Sequence, residues 1–309
     1  MQNKNLIAEG DGCKIMQFRN ESGDGTMTFY DVFPGIGLIY NDFHMNAYAS
    51  DYHPDVKLFC IDHCREGRME YSATEDAYSY VEAGDLKFDR RLSHTGIFEM
   101  PLSHYHGITI AIEVDQAEKF LKKEGKDFPV NLYKLQEKFC RDEHPTVLHD
   151  TCSLDQIFGQ LYHVPQKIKI PYFKIKILEL LLYLYAMELP DTPKEKPYFY
   201  RTQVEKTKAI KHYLTEHLQE HVTQEELANR FEVSMTGMKQ CFKSIYGMPI
   251  ASWMQQYRMN YAAEILLANR KISIAELAGK VGYDSPSKFA MAFRKVMGMS
   301  PTEYRGRKN

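Results

Sequence analysis

Three histidines near residue 100 are candidates for metal chemistry. His104 and His106 are one residue apart, so on a β-strand both imidazoles would point to the same side. Imidazole nitrogens are common ligands of transition metals, and His94 or Glu99 could supply a third ligand. No acidic residue follows the pair until Glu113, seven positions later, so the pair lacks a nearby partner carboxylate. We therefore expect ordinary polar histidines and predict no metal and no other cofactor.

A second cluster of metal-binding residue types is Cys60-Ile-Asp-His-Cys64. On a strand Cys60, Asp62 and Cys64 would share one face and His63 would take the other, so these ligands do not converge. The chain has six cysteines without a CxxC pair or a regular framework. We predict free thiols in a reducing cytoplasm.

Aromatic residues near the start of the chain suit a pocket for a small organic molecule such as a sugar. They are Phe29, Tyr30, Phe33, Tyr40 and Phe43. The same side chains would fill the core of any small barrel, so both interpretations stay open. For a small-molecule site we predict contacts from Phe29, Tyr40 and Phe43, together with His94 and His104.

One sequence pattern occurs twice in the last hundred residues. The copies are TQEELANRFEVSMTGMKQCFKSIYG at 223–247 and SIAELAGKVGYDSPSKFAMAFRKVMG at 273–298. Each begins with a hydroxyl residue followed three positions later by Glu, which predicts a helix cap, and each ends at a glycine that can stop a helix. Two copies predict two helix-turn-helix units, and SWMQQYRMNYAAEILLAN between them predicts a long joining helix.

The spacing inside each copy fits that motif. Ala228 and Ala278 are small residues where two helices must approach closely. Ser234 and Ser285 stand where each second helix would begin, so their hydroxyls can cap it. That end of a helix also attracts anions such as phosphate.

The elements around these residues predict two domains. Short runs rich in Tyr, Phe, Ile and Val, separated by Gly and Pro, predict a small β-barrel or sandwich over about 13–114. Helical periodicity follows over about 115–189, and the segment 169–189 is apolar around most of its circumference, so it must be buried in a core or against a second subunit. We predict a first domain at 1–190, a proline-rich linker at 191–200 and a helical domain at 201–309.

Charge is divided unequally between these domains. Residues 200–309 contain 17 Lys and Arg against 10 Asp and Glu, a net charge of +7, whereas the preceding residues carry −9. This asymmetry favours contact between the C-terminal part and a polyanion. The N-terminus lacks the pattern of a signal peptide, and the longest apolar stretch, Ile175 to Leu189, is too short to span a membrane. We predict a cytoplasmic protein without membrane contact.

The region from about Thr202 to Arg305 resembles the DNA-binding domain of the AraC/XylS transcription regulators. The matching positions are Leu227-Ala228, Ser234, Phe242-Lys243, Gly247, Tyr257-Arg258, Ala262, Leu266-Leu267, Ile274 to Ala278, Val281-Gly282-Tyr283, Ser287, Phe289, Phe293-Arg294-Lys295, Gly298, Ser300-Pro301 and Tyr304-Arg305. The resemblance implies an α+β multidomain protein. Its first domain would be a cupin-like β-barrel with flanking helices, and its second an all-α domain with two helix-turn-helix units joined by a long helix.

The resemblance also implies which residues contact double-stranded DNA. On the first unit they are Ser234, Thr236, Lys239, Gln240 and Lys243; on the second they are Ser285, Pro286, Ser287, Lys288, Ala290, Met291, Arg294 and Lys295. Two positions depart from the pattern. Gly237 lies inside the first recognition helix, where glycine costs about 1 kcal/mol relative to alanine. Met291 occupies a position where many relatives have a polar side chain.

Together these features predict a sequence-specific transcription regulator that is not an enzyme. Its first domain would sense a small molecule, form a homodimer, or do both. Two alternatives share the same DNA-binding domain: a cupin-type enzyme and a constitutive regulator that has no effector.

Overall fold

The computed structural model describes residues 3–307 apart from 11, 75, 93, 126, 142–143, 150–151 and 190–196. The chain divides into two compact units, Met1–Tyr198 and Phe199–Asn309. Most of the predicted linker at 191–200 lies outside the described residues. In the described part of the chain, no helix combines the length and the apolar character needed to cross a membrane.

The first unit is built on antiparallel strands. They are β1 (Asn3–Gly10), β2 (Cys13–Asn20), β3 (Gly23–Phe33), β4 (Ile36–His44), β5 (Ala47–Tyr52), β6 (Leu58–Thr74), β7 (Ala77–Glu82), β8 (Leu86–Asp89), β9 (His94–Glu99), β10 (Tyr105–Glu113) and β11 (Thr146–Leu148). The main sheet has the order β1-β2-β3-β4-β10-β6-β7, with β8 pairing with both β6 and β11, while β5 pairs separately with β9. Strand β10 thus lies between β4 and β6, far from both in sequence.

The sheet has two faces, and strand alternation divides the side chains between them. On β10, Ile108, Ile110 and Ile112 are fully buried in the core that the sheet shares with the helices. Tyr105 and Thr109, on the other face of the same strand, line an internal cavity. Each strand in the middle of the sheet therefore contributes to both a packed core and a cavity wall.

Helices cover the first of these faces. They are α1 (Val114–Glu124), α2 (Leu132–Phe139), α3 (Cys152–Leu161) and, after a 3-10 turn at Gln166–Ile168, α4 (Lys169–Ala186). In α4 one side is buried through residues such as Phe173, Ile177 and Leu184. The opposite side leaves Ile175 and Leu182 exposed. The prediction of a β-rich N-terminal region followed by helices is confirmed.

The strands extend further along the chain than the predicted 13–114. Strand β1 pairs with β2 through a turn at Gly12, which has φ +72°. Its segment NKNLIAEG leaves Leu6 and Ile7 exposed, so backbone pairing at the sheet edge, not an apolar face, accounts for the strand. Strand β11 lies inside the region predicted to be helical because it pairs with β8.

The second unit is helical, as predicted, after a short strand β12 (Phe199–Tyr200). Its helices are α5 (Arg201–Glu216), α6 (Gln224–Arg230), α7 (Met235–Tyr246), α8 (Ile250–Ala268), α9 (Ile274–Lys280), α10 (Pro286–Met297) and α11 (Pro301–Arg305). The repeated sequence pattern corresponds to α6 with α7 and to α9 with α10, and α8 is the long helix between the pairs.

The predicted helix ends are confirmed. Thr223 and Glu226 form a capping box at α6, and the Ser273 side chain caps α9. The hydroxyls of Ser234 and Ser285 accept hydrogen bonds at the start of α7 and α10. Both second helices end at a left-handed glycine, Gly247 with φ +80° and Gly298 with φ +76°. The repeated pattern is thus a repeated structure.

The single tryptophan of the chain lies on the joining helix α8. The Trp253 ring stacks on Tyr257 with 5.2 Å between centroids, and it lies 5.7 Å from the ring of Phe242 on α7. Aromatic packing therefore fixes α8 against the first helix pair. This placement fits a core role for Trp253.

Candidate functional site

A cavity of about 310 Å³ lies within the first unit. Strands from β2 to β10 contribute its walls, which are mainly apolar. Phe18, Phe43 and Tyr48 form one aromatic part of the wall, with ring centroids 4.9 to 5.8 Å apart. The size and lining suit a small organic molecule.

One wall of the cavity carries a buried network of four charged side chains. Arg91 donates to Asp62 at 2.6 Å and through Nε to Asp89 at 2.9 Å. Lys87 lies 2.9 Å from Asp62 and also pairs with Asp89. These attractions lower the pKa of both carboxyl groups despite burial, which acts in the opposite direction. The two cations and two anions of the network balance, so the network is strongly polar but has no net charge of its own.

Neutral hydrogen-bonding groups extend this polar wall. Thr109 donates to Asp62 at 2.6 Å, and the Asn41 amide donates to Thr109 at 3.0 Å. Arg91 adopts a left-handed backbone conformation with φ +41°, which is unfavourable for a side chain other than glycine. Its backbone N–H donates to Asp89, so the same network holds both the backbone and the side chain of Arg91.

A flat aromatic panel faces the cavity from β5 and β9. The His94 ring stacks on Phe98 with 3.9 Å between centroids, and Phe98 stacks on Tyr48 at 5.2 Å. Burial, with a further contribution from Arg91, lowers the pKa of His94 to about 3. His94 is therefore a neutral hydrogen-bonding group near pH 7.

The predicted small-molecule contacts are only partly brought together. Phe29, Phe43 and His94 line the cavity. Tyr40 lies on the opposite face of the sheet, against Tyr30 and Phe173, and donates to the Leu161 carbonyl. His104 lies on the outer surface near His106 and is likewise absent from the cavity wall. Strand alternation explains the division, because Tyr40 and Phe43 are an odd number of positions apart.

In the second unit, α7 has a buried face and an exposed polar face. Met238, Cys241 and Phe242 are fully buried. The predicted contact residues Thr236, Lys239, Gln240 and Lys243 are all exposed, and Ser234 at the N-cap is exposed as well. The helix contains no acidic residue. Its free surface therefore combines hydrogen-bonding side chains with positive charge.

Helix α10 repeats this arrangement. Phe289 and Phe293 are fully buried, and Ala292 lies on the same side. The predicted contact residues exposed on the other side are Pro286, Ser287, Lys288, Met291, Arg294 and Lys295, while Ser285 and Ala290 are half-buried. This helix also lacks acidic residues, and the Met291 side chain is 69% exposed. An apolar side chain this exposed is unusual on a helix that otherwise presents cations.

The structure supplies a local reason for Gly237 in α7. A Cβ built on Gly237 would lie 2.8 Å from the capping Ser234 Oγ and 2.9 Å from Gln203 Nε2 on α5. Glycine therefore leaves room for the helix cap and for the packing of α5 against this turn. No nucleic acid is needed to explain it.

Comparison with known proteins bears on the second unit. A family model described as "Helix-turn-helix domain" matches residues 227–307. The virulence regulon transcriptional activator VirF of Yersinia enterocolitica is 32% identical over 80 residues, which cover 26% of this chain and 29% of VirF. The HTH-type transcriptional regulator ExsA of Pseudomonas aeruginosa is 32% identical over 95 residues, covering 31% of this chain and 32% of ExsA.

The second unit contains this helix-turn-helix domain, and the regulators that it resembles are AraC-family regulators. The chain spans about a third of the length of VirF and ExsA, so the similarity to them is a similarity of this AraC-type domain. The C-terminal domain of AraT, a response regulator from Geobacillus stearothermophilus, is 33% identical and covers 32% of this chain and 83% of its own, with a TM-score of 0.31.

A third relative is similar over a longer stretch than the AraC-type domain. The lactose operon transcription activator of Staphylococcus xylosus is 25% identical over 169 residues, covering 53% of this chain and 59% of its own. That length exceeds the second unit, Phe199–Asn309, so the similarity includes part of the first unit.

The charged network was not predicted from the sequence. Asp62 was assigned correctly to one strand face with Cys60, and His63 to the other, where it bonds Tyr162 at 3.1 Å. The two cations of the network, Lys87 and Arg91, were not identified from the sequence. A detectable signal was the alternation of Lys87 and Asp89 within the short apolar run of β8, which places two opposite charges on one side of a buried strand.

Proposed function

We propose that the chain is a sequence-specific DNA-binding transcription regulator. The observation that carries this proposal is the repeated pair of exposed, acid-free faces on α7 and α10, one on each side of α8. Helix α8 has 19 residues, or about 28 Å of length. That is close to the roughly 34 Å between successive major-groove segments on one side of B-DNA.

The side chains on the two faces suit different contacts. Lys239 can donate to guanine O6 and N7, and Gln240 can make a bidentate pair with adenine. Lys243, Lys288, Arg294 and Lys295 suit phosphate. Met291 suits an apolar contact such as a thymine methyl group. The first helix pair therefore supplies most of the base-specific hydrogen bonds.

A gel-shift experiment tests this proposal. The full chain is titrated against DNA from upstream of its own and neighbouring genes and against random DNA, at two salt concentrations. We expect a preference for one upstream sequence and weaker binding at higher salt, because lysines displace counterions from phosphate. Binding random and upstream DNA equally at both salt concentrations would contradict the proposal.

A double variant locates the base-reading surface. Lys239→Ala with Gln240→Ala should weaken specific binding by about 10- to 100-fold, since a good base contact contributes about 1–3 kcal/mol. The control is Lys122→Ala with Lys123→Ala, which removes two exposed charges from α1 in the other unit. The control should retain the specific shift.

For the first unit we propose a cupin-like sensor whose cavity binds a small neutral polyhydroxylated molecule such as a sugar. The charged network balances two cations with two anions, so it offers both donors and acceptors to hydroxyl groups. The stacked panel of Tyr48, Phe98 and His94 suits the apolar face of a sugar ring. The similarity to a lactose operon activator supports the same ligand class.

Thermal-shift measurement with a panel of neutral sugars tests the sensor. A sugar that fits should stabilise the chain, and Asp62→Asn should abolish that shift, whereas Tyr40→Phe on the other sheet face should retain it. Stabilisation by no member of the panel would favour a regulator without an effector. Turnover of a substrate would favour the cupin-type enzyme, although Cys60 in the cavity offers no reactive thiolate because burial raises its pKa to about 12.

We propose that the outer face of α4 forms the contact of a homodimer. Ile175, Leu178, Leu182 and Tyr185 follow the spacing i, i+3, i+7, i+10, which is the spacing of a two-helix seam. Ile175, Leu182 and Tyr185 are 63%, 39% and 53% exposed. A second copy of the same helix would cover this stripe.

A further inference from the structure

Three histidine rings and a carboxylate converge on the outer surface of the first unit. Strands β4 and β10 are paired so that Asp42 lies opposite His106 and Phe43 lies opposite Tyr105. Continuing this register by one position brings His104 beside His44. Because alternate residues share a face, Asp42, His44, His104 and His106 all point to the side away from Tyr105. The site is distinct from the interior cavity, which Phe43 and Tyr105 line from the other side.

The distances within this cluster match those between the ligands of one small metal ion. His44 Nε2 lies 3.3 Å from His106 Nε2, and Asp42 Oδ1 lies 3.1 Å and 3.0 Å from those two nitrogens. Two nitrogens bound at about 2.0–2.1 Å to a tetrahedral zinc ion are about 3.3 Å apart. The three atoms thus outline one face of a zinc tetrahedron.

His104 provides the fourth side chain. Ligand nitrogens of His44, His104 and His106 all lie within 4.8 Å of one another. Glu66 Oε2 lies 3.7 Å from His104 Nε2 and adds a second negative charge near the cluster. A register shift between β6 and β10 at His106 accompanies the pairing of Glu66 with His106, which places this carboxylate beside the histidines.

We infer that His44, His104 and His106, with Asp42 beside two of them, form a binding site for a divalent transition metal, and Zn²⁺ is the probe to use. Three imidazoles and a carboxylate are ligands that zinc accepts in tetrahedral geometry, whereas calcium and magnesium prefer sites made of oxygen atoms. The sequence that follows His104 and His106 offers no nearby carboxylate, which is why we expected the pair to lack one. The carboxylate and the third histidine come instead from β4, about sixty positions earlier.

Calorimetric titration of the full chain with Zn²⁺ tests this inference. The protein should be free of a histidine tag and previously dialysed against chelator. We expect one ion per chain, with affinity reduced at least about tenfold by His44→Gln and by His106→Gln. The matched control is His53→Gln, which changes an exposed histidine of the same unit outside the cluster and should bind as the wild type does.

Two further measurements make the result decisive. Co²⁺ in place of Zn²⁺ should give the visible absorption of a tetrahedral site, and Asp42→Asn should alter that spectrum. Since the His44 side chain is 59% exposed, its replacement leaves the core intact, which circular dichroism can verify. The inference would be overturned if the wild type did not bind the metal. It would also be overturned if the double variant His44→Gln, His106→Gln bound it as tightly as the wild type. The cluster would then be a group of hydrogen-bonded histidines.

Discussion

At residue scale, the two helix pairs make the same left-handed turn with different residues. Glu232 has φ +51° between α6 and α7, and Gly282 has φ +74° between α9 and α10. A side chain in this conformation is strained by about 1–2 kcal/mol, and glycine is not. We predict that Glu232→Gly stabilises the second unit by about 0.5–1 kcal/mol, measured by urea unfolding.

The equivalent change in the other pair should have the opposite sign. A Cβ on Gly282 would lie 2.7 Å from the Leu218 carbonyl oxygen, in addition to the strain of the positive φ. We expect Gly282→Ala to destabilise the same unit by about 2 kcal/mol. Equal effects of the two substitutions would show that the left-handed turns do not control stability here.

A buried histidine in the first unit predicts acid sensitivity. The His63 side chain is 7% exposed, its ring stacks on Phe158, and burial lowers its pKa to about 4 despite the opposing attraction of Asp155. As the pH falls below about 6.5, the unfolded chain binds a proton that the folded chain does not bind until about pH 4. Stability should therefore decline between these values, by on the order of 1 kcal/mol at pH 5.

Thermal unfolding at pH 7 and pH 5 measures this effect. His63→Gln should reduce the difference between the two pH values, because glutamine does not titrate. His53→Gln, at an exposed position, should leave the difference unchanged. If His63→Gln keeps the full wild-type difference, other groups cause the acid sensitivity.

At the scale of elements, one lysine satisfies the end of helix α4. Lys138 on α2 donates to the carbonyls of Leu184 at 2.8 Å, Tyr185 at 3.1 Å and Met187. The last carbonyls of a helix have no partner inside it, and a cation there also favours the helix dipole. We predict that Lys138→Met destabilises the first unit by about 1–3 kcal/mol.

The matched control for this helix end lies on the same helix α2. Lys134 is exposed, so Lys134→Met should change the stability of the first unit by less than about 0.5 kcal/mol. Differential scanning calorimetry of both variants measures the two effects. Equal melting temperatures for the two variants would contradict a capping role for Lys138.

The sequence predicts an element well when the interacting residues are close together in the chain, and poorly when they are far apart. Caps such as Thr223 with Glu226 and the glycine at 247 act within one helical turn, so their spacing could be read directly. The pairing of β4 with β10 joins residues more than sixty positions apart, and nothing local specifies it. His44 consequently escaped prediction, and so did Arg91, whose partner Asp62 lies 29 positions earlier on β6.

At the scale of the whole molecule, the proposed seam on α4 predicts that oligomeric state and DNA affinity change together. Replacing Ile175 and Leu182 by Lys places two charges on the proposed contact, and we predict a monomer in sedimentation experiments. DNA binding should also weaken, because a dimer gains from the effective concentration of its second DNA-binding domain. Tyr183→Lys changes an exposed residue outside the seam and should preserve both properties. A double variant that sediments as the wild type does would exclude this seam.

The position of Trp253 gives the protein a built-in fluorescent reporter. Because it is the only tryptophan, emission excited at the red edge of protein absorption comes from the second unit alone. Its environment is set by Tyr257 on α8 and by Phe242 on the buried face of α7. A small molecule that binds the first unit can change this emission only if its effect reaches the helices of the second unit. Unlabelled protein in a cuvette thus reports whether the two units communicate.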